Sequence, residues 1–124
     1  MTTRLPPAEF EGLVAEALES IPPELAARMS NVEIVVELEP GDEAQAVRAN
    51  PRTLLGLYQG VPLTERGEAY YGVLPDRILL YQRNIERAAA TEANIREVVR
   101  VTVIHEVAHH FGIGDDRLAE LGWA

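Results

Sequence analysis

His105, Glu106 and His109 stand near the end of the chain in the order His-Glu-x-x-His. On a helix of 3.6 residues per turn, the two histidines lie about 40° apart around the axis and one turn apart along it. Their imidazoles can therefore converge on one cation. Glu106 points too far round to bind the same ion but can take a proton from a water held there. Two neutral imidazoles on a metal, with a carboxylate base beside them, is the chemistry of zinc-assisted hydrolysis. Gly112 lets the chain turn after the helix, and Asp115 falls at the eleventh position of His-Glu-x-x-His-x-x-Gly-x-x-Asp. From there it can swing back as a third ligand, leaving a fourth position open. Asp116 competes for that place. Spacing favours Asp115, and Asp116 otherwise caps a last helix ahead of Arg117. His110 sits about 100° from His109 and about 140° from His105, so it reads as a packing residue.

Composition narrows what can surround these residues. The chain has 124 residues, the size of one domain (1–124), and can bury a single core without staples. It has no cysteine, so a metal must be held by imidazole and carboxylate rather than thiolate. A net charge of −9 makes nucleic acid a poor partner, since phosphate contacts need basic residues in excess. No stretch reaches the roughly 20 apolar residues of a membrane span. The opening MTTRLPPAEFEG lacks the apolar run of a secretory leader, so the expected location is the cytoplasm.

The elements that must position the site follow from periodicity. Phe10, Leu13, Val14, Ala17 and Leu18 recur at helical spacing after Pro6-Pro7, predicting a helix over 7–20 and a short helical turn at 24–28. Val32, Ile34 and Val36 alternate with Glu33, Val35 and Glu37, predicting a half-buried strand that ends at Pro40. Residues 41–52 are polar and read as a loop with room for a helical turn. Strands are expected at 54–58 and 77–82, with an edge strand near 69–73. A short helix near 84–89 and a long one at about 92–111 come next, capped by Asn84 or Thr91. The second half of the long helix is apolar nearly all round, so it should be enclosed on more than one side. Gly112 and Gly114 end it, and residues 116–122 make a last helical turn or two.

VIHEVAHHFGIGDDRLAELG resembles the active-site helix of small bacterial zincin-like proteins, a minimal metzincin-like family of possible zinc metallopeptidases. The resemblance extends to the first helix, to NVEIVVELEP and to LTERGEAYYGVLPDRILLYQ. It implies an α+β, single-domain zincin-like fold with a small mixed β-sheet packed on the active-site helix. The family's motif falls on His105, Glu106, His109, Gly112 and Asp115. Two features depart from larger metzincins. The third ligand is Asp rather than His, as in snapalysin-type enzymes, and no Met follows Met29 to form a turn beneath the metal.

The reading is then a zinc-dependent peptidase. His105, His109 and Asp115 hold Zn2+, Glu106 is the general base, and the substrate is a peptide or protein. The rival is a degenerate zincin whose metal site binds a peptide or partner with little or no catalysis. One of Tyr70 and Tyr71, which face opposite ways in a strand, is a candidate oxyanion donor, though edge packing is the simpler role. The TERGEAYYG segment is a candidate rim for the cleft.

Overall fold

The structure is a computed structural model that describes residues 4–27, 29, 32–46, 50–60 and 76–120. Helix α1 spans Pro7–Glu19 and starts on a proline, whose fixed φ suits the first helical position. Phe10, Val14 and Ala17 form its buried stripe. Ser20 closes it by donating from Oγ to the Ala17 carbonyl at 2.6 Å, and Pro22-Pro23 then start the one-turn helix α2 (Pro23–Ala26).

Among the described residues, three strands make a small mixed sheet in the order β1-β3-β2. Strand β1 (Val32–Glu37) runs parallel to β3 (Asp76–Tyr81), with Val32 opposite Asp76 and Glu37 opposite Tyr81. Strand β2 (Gly56–Gln59) runs antiparallel to β3, with Gly56 opposite Leu80 and Tyr58 opposite Ile78. Side chains alternate along a strand. One face therefore gathers Val32, Ile34, Val36, Tyr58, Asp76, Ile78 and Leu80, and the apolar members of this set join the main core. The opposite face carries Glu33 and Glu37 exposed to solvent, as the alternation predicts. Leu79 and Tyr81 lie on that same face yet are buried. Residues 42–46 form a 3-10 turn there, and Glu43 of that turn accepts a hydrogen bond from Tyr81 Oη at 3.1 Å. Enclosure on both faces explains why Ile78 to Tyr81 form an unbroken apolar run.

After β3 come α3 (Gln82–Ala89) and the 19-residue α4 (Glu92–His110). Thr91 caps α4, its hydroxyl accepting from the Asn94 N–H at 3.3 Å. Ile95, Val99, Val103 and Val107 recur every four residues and pack α4 against α1 and the sheet. Its last turn ends in a Schellman motif. Ile113 N–H donates to the Ala108 carbonyl at 2.8 Å, and Gly112 N–H to the His109 carbonyl at 3.0 Å, with Gly112 at φ 70°. Ile113 packs back on Ile104 and Ala108 and so fixes the exit direction into α5 (Asp115–Glu120).

This is an α+β fold with a small mixed sheet over the long helix, as expected, but four local expectations change. Strand β2 starts at Gly56 rather than Leu54, because the Leu54 N–H is drawn into a turn on Asn50 and its carbonyl is taken by Asn84 Nδ2 at 2.7 Å. Asn84 therefore caps nothing. It is the third residue of α3 and ties that helix to Pro51 and Leu54. Gln82 is the first residue of α3, not the last of a strand, and its side chain donates to the Leu5 carbonyl and to Glu86. Asp116 lies within α5 and not ahead of it. The edge strand expected at 69–73 lies outside the described residues. Among the described residues, no helix is long and apolar enough to cross a membrane.

Candidate metal centre and its carboxylate

The last three turns of α4 carry the chemistry-bearing residues on two sides. His105 is half-buried and His109 exposed, while Glu106 is buried against β2. The rings of His105 and His109 meet edge to face, with centroids 5.3 Å apart and planes at 73°. The sequence expectation that they share one helix face is what the structure shows. His109 Nδ1 also lies 3.5 Å from Glu106 Oε2, which brings the carboxylate to the edge of the same group.

Glu106 is only 6% exposed, an unusual place for a carboxylate. The Tyr58 backbone N–H interacts with the Glu106 side chain. Among the described residues its Oε2 makes no hydrogen bond, and His109 Nδ1 approaches it only to 3.5 Å. Burial pushes the carboxyl up to about 7, against a smaller downward pull from the Tyr58 N–H. Glycine at residue 56 lets strand β2 lie this close without displacing its neighbours. A Cβ there would stand 3.0 Å from Thr102 Cγ2, 3.1 Å from the Leu79 carbonyl and 3.2 Å from Glu106 Cγ.

Between β2 and α4 opens a cleft of about 250 Å³ lined by Leu55, Gly56, Val101, Thr102, His105 and Glu106. Thr102 turns its hydroxyl to the Val98 carbonyl at 2.7 Å and so offers the cleft a methyl group. The imidazole and the carboxylate are therefore the polar ends of a largely aliphatic wall. A larger cavity of about 610 Å³ lies between α1 and the start of α4, but it holds none of the histidines, and its charged groups are Glu9, Glu92 and Arg96. Chemistry, not size, singles out the smaller cleft.

A buried polar cluster underlies the end of α4. Asp76 Oδ2 accepts from Tyr58 Oη at 2.7 Å and from His110 Nδ1 at 2.8 Å. His110 is 1% exposed and its ring packs edgewise on Tyr58 and Phe111. It turns away from His105 and His109, as its angle around the helix required. Sequence reasoning singled out neither Tyr58 nor Asp76. The one signal was an acidic residue opening the most apolar strand of the chain.

Among the described residues, no group of three or more His, Asp or Glu side chains is arranged to hold a metal ion. The backbone of Asp115 opens α5, but its side chain lies outside the described residues, as do Tyr70, Tyr71 and the rest of TERGEAYYG. What the structure brings together is His105, His109 and Glu106.

No curated protein matched the sequence. The sequence model of one family, described as zincin-like metallopeptidase, matches residues 29–123, which take in all three strands and the whole of α3, α4 and α5. The helix-borne His-Glu-x-x-His, the mixed sheet over it and this match agree, and the chain belongs to the zincin-like metallopeptidase family.

Proposed function

We propose that the protein is a zinc-dependent peptidase in which His105, His109 and Asp115 hold the metal and Glu106 is the general base. The observation that carries this reading is Glu106 Oε2. A buried carboxylate oxygen without a hydrogen bond is costly, and this one sits 3.5 Å from one of two facing imidazoles. A cation held by those imidazoles would supply the favourable interaction that the oxygen lacks. With no cysteine in the chain, an imidazole and carboxylate set fits zinc in its catalytic rather than its thiolate-rich structural form.

Zinc held by His105, His109 and Asp115 would supply Lewis acidity and a water of lowered pKa. Glu106 accepts the proton of the attacking water and passes it to the leaving amine. Tyr58 N–H steadies the charged carboxylate, and the burial of Glu106 limits the access of bulk water to the base. Substrates are peptides or proteins, in keeping with a surface too acidic for nucleic acid.

The test is cleavage of an unbiased peptide library by the zinc-loaded protein. Cleavage should vanish on stripping the metal and return with zinc. The absence of any Met after Met29 favours a second reading, a metal-binding module without catalysis, and a zinc-loaded protein that cleaves nothing would select it. The third ligand has its own test. Asp115→Ala should weaken zinc binding by more than about 100-fold, beyond what residues outside the ligand set contribute. Asp116→Ala, which alters an exposed position of α5, should leave the affinity within a few-fold. Zinc titration of both variants decides between them, and the reverse ranking would move the ligand to Asp116.

A further inference from the structure

Asp76 and His110 are buried at 2% and 1% exposure on the sheet face that Ile78 and Leu80 otherwise make apolar. A buried polar pair of this kind is commonly replaceable by apolar residues with no loss of stability. Among the described residues, the buried His110 Nε2 moreover finds no hydrogen bond, which adds to the cost. Stability alone therefore does not account for the cluster.

Its geometry offers another reason. Tyr58 links this cluster to the strand that covers Glu106. Its hydroxyl donates to Asp76 Oδ2 at 2.7 Å, and its strand lies against Glu106, where a Cβ on Gly56 would stand 3.2 Å from Glu106 Cγ. The same Asp76 oxygen takes His110 Nδ1 at 2.8 Å, and His110 belongs to the final turn of α4. One carboxylate oxygen thus ties β2, β3 and the end of the active helix together. Residue 60, just past β2, is shaped to the same cluster. A Cβ on Gly60 would stand 2.5 Å from Asp76 Oδ1 and 2.9 Å from Tyr58 Oη, and its φ of 154° is one that side-chain-bearing residues rarely adopt.

We infer that Asp76 is a positioning residue, holding Tyr58 and the last turn of α4 in one register so that β2 keeps its close approach to the Glu106 carboxylate. The catalytic consequence rests on the role proposed above for Glu106; the structural link does not. Removing the anchor takes a hydrogen bond from the Tyr58 ring, and β2 then rides more loosely over Glu106. A base displaced by about 1 Å is worth on the order of 100-fold in rate.

The test uses Tyr58→Phe, which deletes one hydroxyl and keeps the ring and the backbone N–H, in protein whose zinc content matches the wild type. Amide hydrogen exchange is read by NMR. The amide of residue 58 should exchange at least about 10-fold faster while those of Leu79 and Leu80 in the central strand hold their wild-type rates. Asp76→Asn, which keeps one acceptor oxygen where two donors meet, should act on the same amide selectively. On any peptide the wild type cleaves, kcat should fall about 10- to 100-fold with KM and zinc content unchanged. A wild-type exchange rate at residue 58, or one common acceleration of all amides, overturns the link. An unchanged kcat overturns its catalytic consequence. A wild type that cleaves no peptide defeats the proposed function instead, and the exchange data still decide the link.

Discussion

Glu106→Gln is expected to stabilise the metal-free protein by on the order of 3 kcal/mol at pH 8 and by less than about 1 kcal/mol at pH 5. The Glu106 carboxyl ionises at about 7 in the folded chain against 4.5 in the absence of the fold, because burial penalises its charged form. The unfolded chain therefore gives up this proton first. Stability drains away as pH rises from about 4.5 to about 7 and is level above that. Glutamine has no proton to lose, and it keeps the side chain's size and an acceptor oxygen. The variant should thus be flat across the window in which the wild type declines. Urea unfolding of both stripped proteins at the two pH values measures it. An equal difference at pH 5 and pH 8 would show that ionisation of Glu106 is not the cause. A residue that lowers the stability of its own protein at neutral pH needs a reason outside folding, and proton transfer is one.

The second large effect concerns the imidazoles. His105→Ala and His109→Ala should each weaken zinc binding by more than about 100-fold and abolish one-to-one zinc content after dialysis. Neither side chain is fully buried, and the helix around them is held by Val103, Val107 and the Schellman turn rather than by the rings themselves. Both variants should therefore fold with near-native thermal stability when metal-free. Elemental analysis of the dialysed proteins is the measurement. Full zinc in both would place the metal elsewhere.

What the sequence made legible, and what it hid, divides along physical lines. The helix carrying His105, Glu106 and His109 was readable because a 3.6-residue period with Thr91 at one end and Gly112 at the other is a local signal. Strand β1 was readable for the same kind of reason, since charged and apolar residues alternate there. Gln82 and Asn84 misled because their side chains bond to Leu5 and to the Pro51–Leu54 turn, partners about 30 to 80 residues away in the chain. No window of sequence contains such a contact. Tyr58 and Asp76 escaped notice likewise, their meaning arising only when β2 and β3 pair and bring them to His110. Glu106 is the intermediate case. Its place beside His105 announced its chemistry, but only the close approach of Gly56 shows how deeply it is buried.

Side-by-side cleavage assays of wild type and Glu106→Gln, each shown beforehand to hold one zinc per chain, test the central claim most directly. Removing the proton acceptor while leaving the ligands in place should lower kcat/KM by about 10²- to 10⁴-fold on every peptide the wild type cuts. Cleavage by the glutamine variant at the wild-type rate would contradict the assignment of Glu106 as the base, whatever the metal content.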